Sequence, residues 1–67
     1  MEITLNNNSV SFDKPVMSIS EIIAEKNFTF KMLVVKLNGH VIDKELFAET
    51  MVTNGDNLII LHLISGG

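Results

Sequence analysis

Polar and apolar residues alternate from the first position. Met1, Ile3 and Leu5 are apolar, while Glu2, Thr4 and Asn6 are polar. A period of two places successive side chains on opposite faces, so this segment predicts a strand with one buried face. Asn6-Asn7-Asn8 follows, and asparagine tolerates left-handed backbone, which makes the triplet a turn signal. Val10 and Phe12 then alternate with Ser9, Ser11 and Asp13, and the two runs together predict a hairpin. Pro15 is expected to end the second strand.

The period changes after Pro15. Ser18-Ile19-Ser20-Glu21 matches a capping box, in which the Ser18 hydroxyl accepts from the Glu21 amide and the Glu21 carboxylate reaches back. Ile19, Ile22 and Ile23 continue at helical spacing and predict a helix from about residue 19 to residue 26, with Asn27 as its stop. Residues 28 to 31, Phe-Thr-Phe-Lys, read either as strand or as the crossover into one. Met32 to Leu37 is dense in β-branched and aliphatic residues and predicts a strand. Asn38-Gly39 is a turn dipeptide, and Val41-Ile42 can start a short return strand.

A short helix is expected from Asp43, with the Asp43 side chain as its cap and with Leu46 and Phe47 facing inward. Asn54-Gly55-Asp56 is a tight turn. Leu58 to Ile64 is almost unbroken apolar sequence, the pattern of a strand central in its sheet or covered on both faces. The predicted order is strand, strand, helix, strand, short helical excursion, strand, with the first and last strands in the middle. A right-handed crossover then lays the Ile19 helix on one face of a mixed sheet of four to five strands. This is an α+β domain of the β-grasp type, spanning residues 1–64 and followed by a flexible Ser-Gly-Gly tail at 65–67.

Composition narrows the function. The 67 residues allow one domain, which buries about 60% of the surface its unfolded chain exposes and leaves little room for a deep catalytic cavity. Eight acids against five lysines give a net charge of −3, which disfavours a nucleic-acid partner. The absence of cysteine removes disulfides, thiolate zinc sites and a cysteine nucleophile. Glu2 stands where a signal peptide needs a cation, and the Leu58–Ile64 run is far shorter than a membrane span. A soluble, cytoplasmic protein with no membrane partner is the expectation.

No catalytic residues are assigned. Serines, acids and two histidines are present, but nothing clusters them and no G-x-S-x-G elbow occurs. His40 and His62 lack metal-ligand spacing and read as surface histidines near a turn and a strand end, so no metal is expected. Two features carry more. Gly66-Gly67 has no side chains and can adopt almost any backbone angle, so it can thread a narrow channel in another protein and present a carboxylate. That carboxylate is unreactive until a partner activates it, for example as an adenylate. The bland alternative is a frayed end. The second feature is parity: if Leu58 and Ile60 face the helix, then Ile59, Leu61 and Leu63 face outward as an apolar docking patch beside the tail. Reversed parity or a homodimer would explain the same pattern.

The run Asn38-Gly39-x-Val41-Ile42, a short helix, Gly55-Asp56-x-Leu58-x-Ile60 and Gly66-Gly67 resembles the ubiquitin-like sulfur carrier proteins over the whole chain, and the thiamine-biosynthesis carriers above all. The resemblance implies a protein cosubstrate rather than an enzyme. It binds no cofactor itself; ATP and Mg are used by a ThiF-like adenylyltransferase related to ubiquitin-activating enzymes. Gly67 would become an acyl-adenylate and then a thiocarboxylate, with Gly66 giving access and Ile59 and Leu61 docking. The sulfur would come from a persulfide donor of the cysteine desulfurase or rhodanese type and pass to thiazole synthase. The small subunit of molybdopterin synthase, a carrier for another sulfur pathway, and a β-grasp interaction module with an incidental Gly-Gly end remain open, as does conjugation to lysines. Residues 28–31 depart from the pattern.

Overall fold

The structure is a computed structural model that describes residues 1–28 and 32–62. Among the described residues, seven strands and one helix run in the order β1 (Glu2–Leu5), β2 (Asn8–Ser11), β3 (Val16–Ser18), α1 (Ile19–Glu25), β4 (Leu33–Leu37), β5 (His40–Ile42), a 3-10 turn (Lys44–Leu46), β6 (Met51–Thr53) and β7 (Asn57–His62). Five strands form one mixed sheet in the order β2-β1-β7-β4-β5, and β3 pairs with β6 in a small second sheet. β1 and β7 are parallel, while the other neighbours are antiparallel. β7, which holds the described part of the nearly unbroken apolar run, therefore lies at the centre of the sheet, as its sequence predicts, with β1 beside it.

Local chemistry sets the turns. Asn6 and Asn7 both take positive φ (50° and 69°), as do Asn38 and Gly39 (50° and 87°), so each tight hairpin is closed by residues that tolerate left-handed backbone. Asn27 ends the helix in the same conformation, with φ 58°. The capping box forms in full: the Glu21 amide donates to Ser18 Oγ at 3.1 Å, and the Ser18 amide donates to the Glu21 carboxylate at 2.9 Å. Lys14 adds an ion pair to the same carboxylate at 3.0 Å.

The helix lies on one face of the sheet. Ile19 and Ile22 pack into a single core with Ile3, Leu5, Met17, Val35, Phe47, Val52, Leu58 and Ile60. On β1, buried Ile3 and Leu5 alternate with exposed Glu2 and Thr4, and on β2 the half-buried Val10 stands between exposed Ser9 and Ser11, as the period of two predicts.

Four expectations need correction. Leu46 is 44% exposed, while Phe47 is buried. Successive residues of a 3-10 turn point about 120° apart, so the two cannot both face the core. The Asp43 side chain makes no capping bond; its carbonyl closes the turn by accepting from the Leu46 amide at 2.9 Å. The second strand ends at Ser11, four residues before Pro15. Finally, β3 and β6 are additional strands, each of three residues with a buried central side chain, Met17 or Val52. Residues 29–31, in the stretch that departs from the family pattern, lie outside the described residues.

Candidate functional site

The outer face of the sheet follows from the parity of β7. Leu58 and Ile60 are inward and at most 3% exposed; Ile59 is half-buried and Leu61 is 53% exposed on the opposite face. Ile59 and Leu61 therefore face outward, as the parity predicts, while Leu63, Gly66 and Gly67 lie outside the described residues. Register assembles further residues beside them. Leu61 pairs with the half-buried Val34, Ile59 pairs with Lys36, and Lys36 pairs in turn with Val41, which is 63% exposed. Met32, one residue before β4 and on the same parity as Val34, is also exposed. The result is an apolar lane across β7, β4 and β5 with one lysine within it. Beyond β7 the outward positions turn polar: Glu2 and Thr4 on β1, then Ser9 and Ser11 on β2. A contiguous apolar lane with a polar margin is the usual anatomy of a docking surface.

Val34, Val41 and Met32 were not singled out from the sequence. The signal for them was available, since they share parity with Lys36 or pair with it, but it requires the β4–β7 and β4–β5 registers to read.

The two ends of β7 are held by asparagine side chains. At its start, the Asn57 amide donates to Asn38 Oδ1 at 2.8 Å, and Asn38 Nδ2 donates to Asp56 Oδ1 at 3.1 Å. Asp56 Oδ2 also accepts from the Thr53 amide at 2.9 Å, closing the Asn54-Gly55 turn, where Gly55 has φ 88°. Towards its end, Ile60 donates its amide to Asn6 Oδ1 at 2.8 Å and accepts from Asn6 Nδ2 at 3.0 Å. This second clamp joins residues 54 positions apart, and no local pattern announces it.

Nothing in this arrangement forms a reaction centre. Among the described residues no three His, Cys, Asp or Glu side chains group as a metal site. His40 and His62 are both exposed and lie at the hairpin after β4 and at the end of β7. An open groove of about 260 Å³ is lined by Ser11, Phe12, Asp13, Glu25 and Lys26, with the Lys26 ammonium 5.6 Å over the Phe12 ring. It offers no histidine and no nucleophile–base pair. Glu21 is held below its ordinary range: the Ser18 amide, and then the Lys14 ammonium, push its pKa down.

Comparison with known proteins agrees with this geometry. The sulfur carrier protein ThiS of Bacillus subtilis (strain 168) is 29% identical over 63 residues, covering 94% of this chain and 96% of that protein. The crystal structure of a thiamine biosynthesis protein (ThiS) from Geobacter metallireducens superposes with a TM-score of 0.90 at 28% identity, covering all of both chains. A solution NMR structure of a thiamine biosynthesis protein from the same organism gives a TM-score of 0.81 at 28% identity, covering all of this chain and 88% of the other. The sequence profile of the ThiS family matches residues 2–67, and with the β-grasp architecture and its exposed apolar lane in place, the chain belongs to the ThiS family.

Proposed function

We propose that this protein is a sulfur carrier for the thiazole of thiamine, a cosubstrate that partner enzymes load and unload. The observation that carries the reading is the family match over residues 2–67, together with whole-chain similarity to a thiamine biosynthesis protein. The curated relative is a sulfur carrier and both solved relatives are thiamine biosynthesis proteins, which favours the thiamine pathway over other sulfur carriers.

The chemistry is placed on Gly67. Its carboxylate oxygen attacks the α-phosphorus of ATP, held with Mg by an adenylyltransferase, and pyrophosphate leaves. The terminal sulfur of a persulfide on the donor then attacks the acyl carbon and expels AMP, forming an acyl disulfide. A thiol cleaves that S–S bond, becoming disulfide-linked to the donor sulfur, and leaves a thiocarboxylate on Gly67. Thiazole synthase receives this sulfur. No step asks for an acid, base or metal from the β-grasp domain. Gly66 places no side chain in the path of the reacting end.

Ile59 and Leu61 are the proposed docking residues of the domain, extended by Val34, Val41 and Met32. Covering this lane removes apolar surface from water without disturbing the core on the opposite face. Lys36, in the midst of the lane, calls for a carboxylate or a carbonyl on the partner.

The experiment is a truncation. Removing Gly67 is expected to abolish sulfur transfer to thiazole synthase while the adenylyltransferase still binds through the sheet face. Full transfer by the truncated chain would overturn the carrier reading, and a module that merely binds would be indifferent to the deletion in every assay.

A further inference from the structure

The sheet ladder between β1 and β7 ends in an unusual way. Main-chain bonds run from the Thr4 amide to the Asp56 carbonyl and from the Asn6 amide to the Leu58 carbonyl, both at 3.0 Å. The next carbonyl of β7 on this edge is that of Ile60, but β1 has by then turned away through the left-handed pair Asn6-Asn7. The carboxamide of Asn6 takes the place of the missing strand residue. Its Oδ1 accepts from the Ile60 amide at 2.8 Å and its Nδ2 donates to the Ile60 carbonyl at 3.0 Å. Both bonds of one residue of β7 are thus satisfied by a single half-buried side chain. Asn7, the other left-handed residue of the turn, makes no side-chain bond to β7 among the described residues.

Ile60 lies only seven positions before Gly67. We propose that Asn6 is a positioning residue for sulfur loading: by clamping Ile60 it fixes the end of the strand from which the reacting tail continues. The inference rests on the carrier reading above. Gly67 lies five positions beyond His62, and an extended chain of that length reaches at most about 18 Å. A short tether delivers its end to a distant reaction centre only if its root is held in place relative to the docked face. Ile59 and Leu61, the docking residues, flank Ile60 directly, so the clamp couples the docked surface to the root of the tail. The carboxylate itself is chemically unaltered by Asn6, so the expected defect is in productive capture rather than in the chemical step.

The test compares Asn6→Gly, Asn6→Asp and Asn7→Gly in the full-length chain. Glycine keeps the left-handed turn and removes the clamp. Aspartate keeps the turn and the acceptor for the Ile60 amide but loses the donor. Pyrophosphate release by the adenylyltransferase with ATP and Mg is followed as a function of carrier concentration. Asn6→Gly is expected to raise KM for the carrier by about fivefold, the effect of roughly one net hydrogen bond, with kcat within about twofold. Asn6→Asp should fall between glycine and the wild type, and Asn7→Gly should match the wild type. Amide hydrogen exchange at Ile60 provides a readout independent of the partner, and should speed up in Asn6→Gly alone of the two glycine variants.

An unchanged KM in Asn6→Gly, or an equal rise in Asn7→Gly, would overturn the positioning role while leaving the carrier reading intact. Unaltered exchange at Ile60 would overturn the clamp itself. If the wild-type chain supports no pyrophosphate release, the carrier reading fails and the positioning role fails with it, while the exchange data still decide whether Asn6 holds Ile60.

Discussion

Leu58 and Ile60 on one face of β7, and Ile59 and Leu61 on the other, are the same two residue types in alternation, and the fold treats them in opposite ways. The inner pair is at most 3% exposed and shares one core with Ile19 and Ile22 of the helix; Leu61 on the outer face is 53% exposed. The inner face holds the domain together. The outer face contributes less to the core and stays available to a partner. In a 67-residue domain, whose stability is on the order of 3–10 kcal/mol, an exposed apolar lane gives up burial that a small core can ill spare. Its presence points to use.

Substitutions can break this division. The largest expected effect is on the inner face: Leu58→Ala should lower unfolding stability by about 3 kcal/mol, measured by chemical denaturation, because the fully buried side chain leaves a cavity. On the outer face, Leu61→Asp should leave the denaturation midpoint nearly unchanged but weaken binding to the adenylyltransferase by about 30-fold in calorimetry, the loss typical of a central interface anchor. A comparable stability loss in both variants would erase the distinction between the faces. Ser18→Ala removes the acceptor for the Glu21 amide and should cost about 1 kcal/mol of stability, with no effect on partner affinity.

The smallest effect concerns pH. Glu21 has its pKa lowered in the folded chain, first by the Ser18 amide and then by Lys14. A depressed folded pKa contributes stability above the unfolded value and loses it as pH falls through the folded one. The stability of the wild type should therefore decline on acidification below the ordinary glutamate range, and Glu21→Gln should flatten part of that decline in denaturation curves taken at stepped pH.

The pattern of residues carried the large elements because each has a period long enough to read. The alternation of Met1-Ile3-Leu5, the Ser18-Glu21 box and the asparagine turns all predict what forms. β3 and β6 escaped because each contributes one buried apolar side chain, Met17 and Val52, and a period cannot be read from one residue. Leu46 was misplaced because the excursion is a 3-10 turn and not an α-helix, which rotates it away from the core. The proposed docking face was half legible: the parity of Ile59 and Leu61 lies in one strand, whereas Val34 and Val41 join it only through pairing with other strands. Asn6 reads as a turn residue in sequence and is one, but its second role spans the chain from β1 to β7.

The central claim is that sulfur is carried at the carboxyl end, and the absence of cysteine makes it directly measurable. The protein would be incubated with the adenylyltransferase, ATP, Mg and a persulfide donor, then treated with a thiol-alkylating reagent and read by intact and peptide mass. Alkylation is needed because oxidation of one of the four methionines nearly matches the mass change of exchanging oxygen for sulfur. A label that maps to Gly67 and disappears without ATP is the predicted result. Persistent absence of label with competent partners, or a label elsewhere on the chain, would contradict the account.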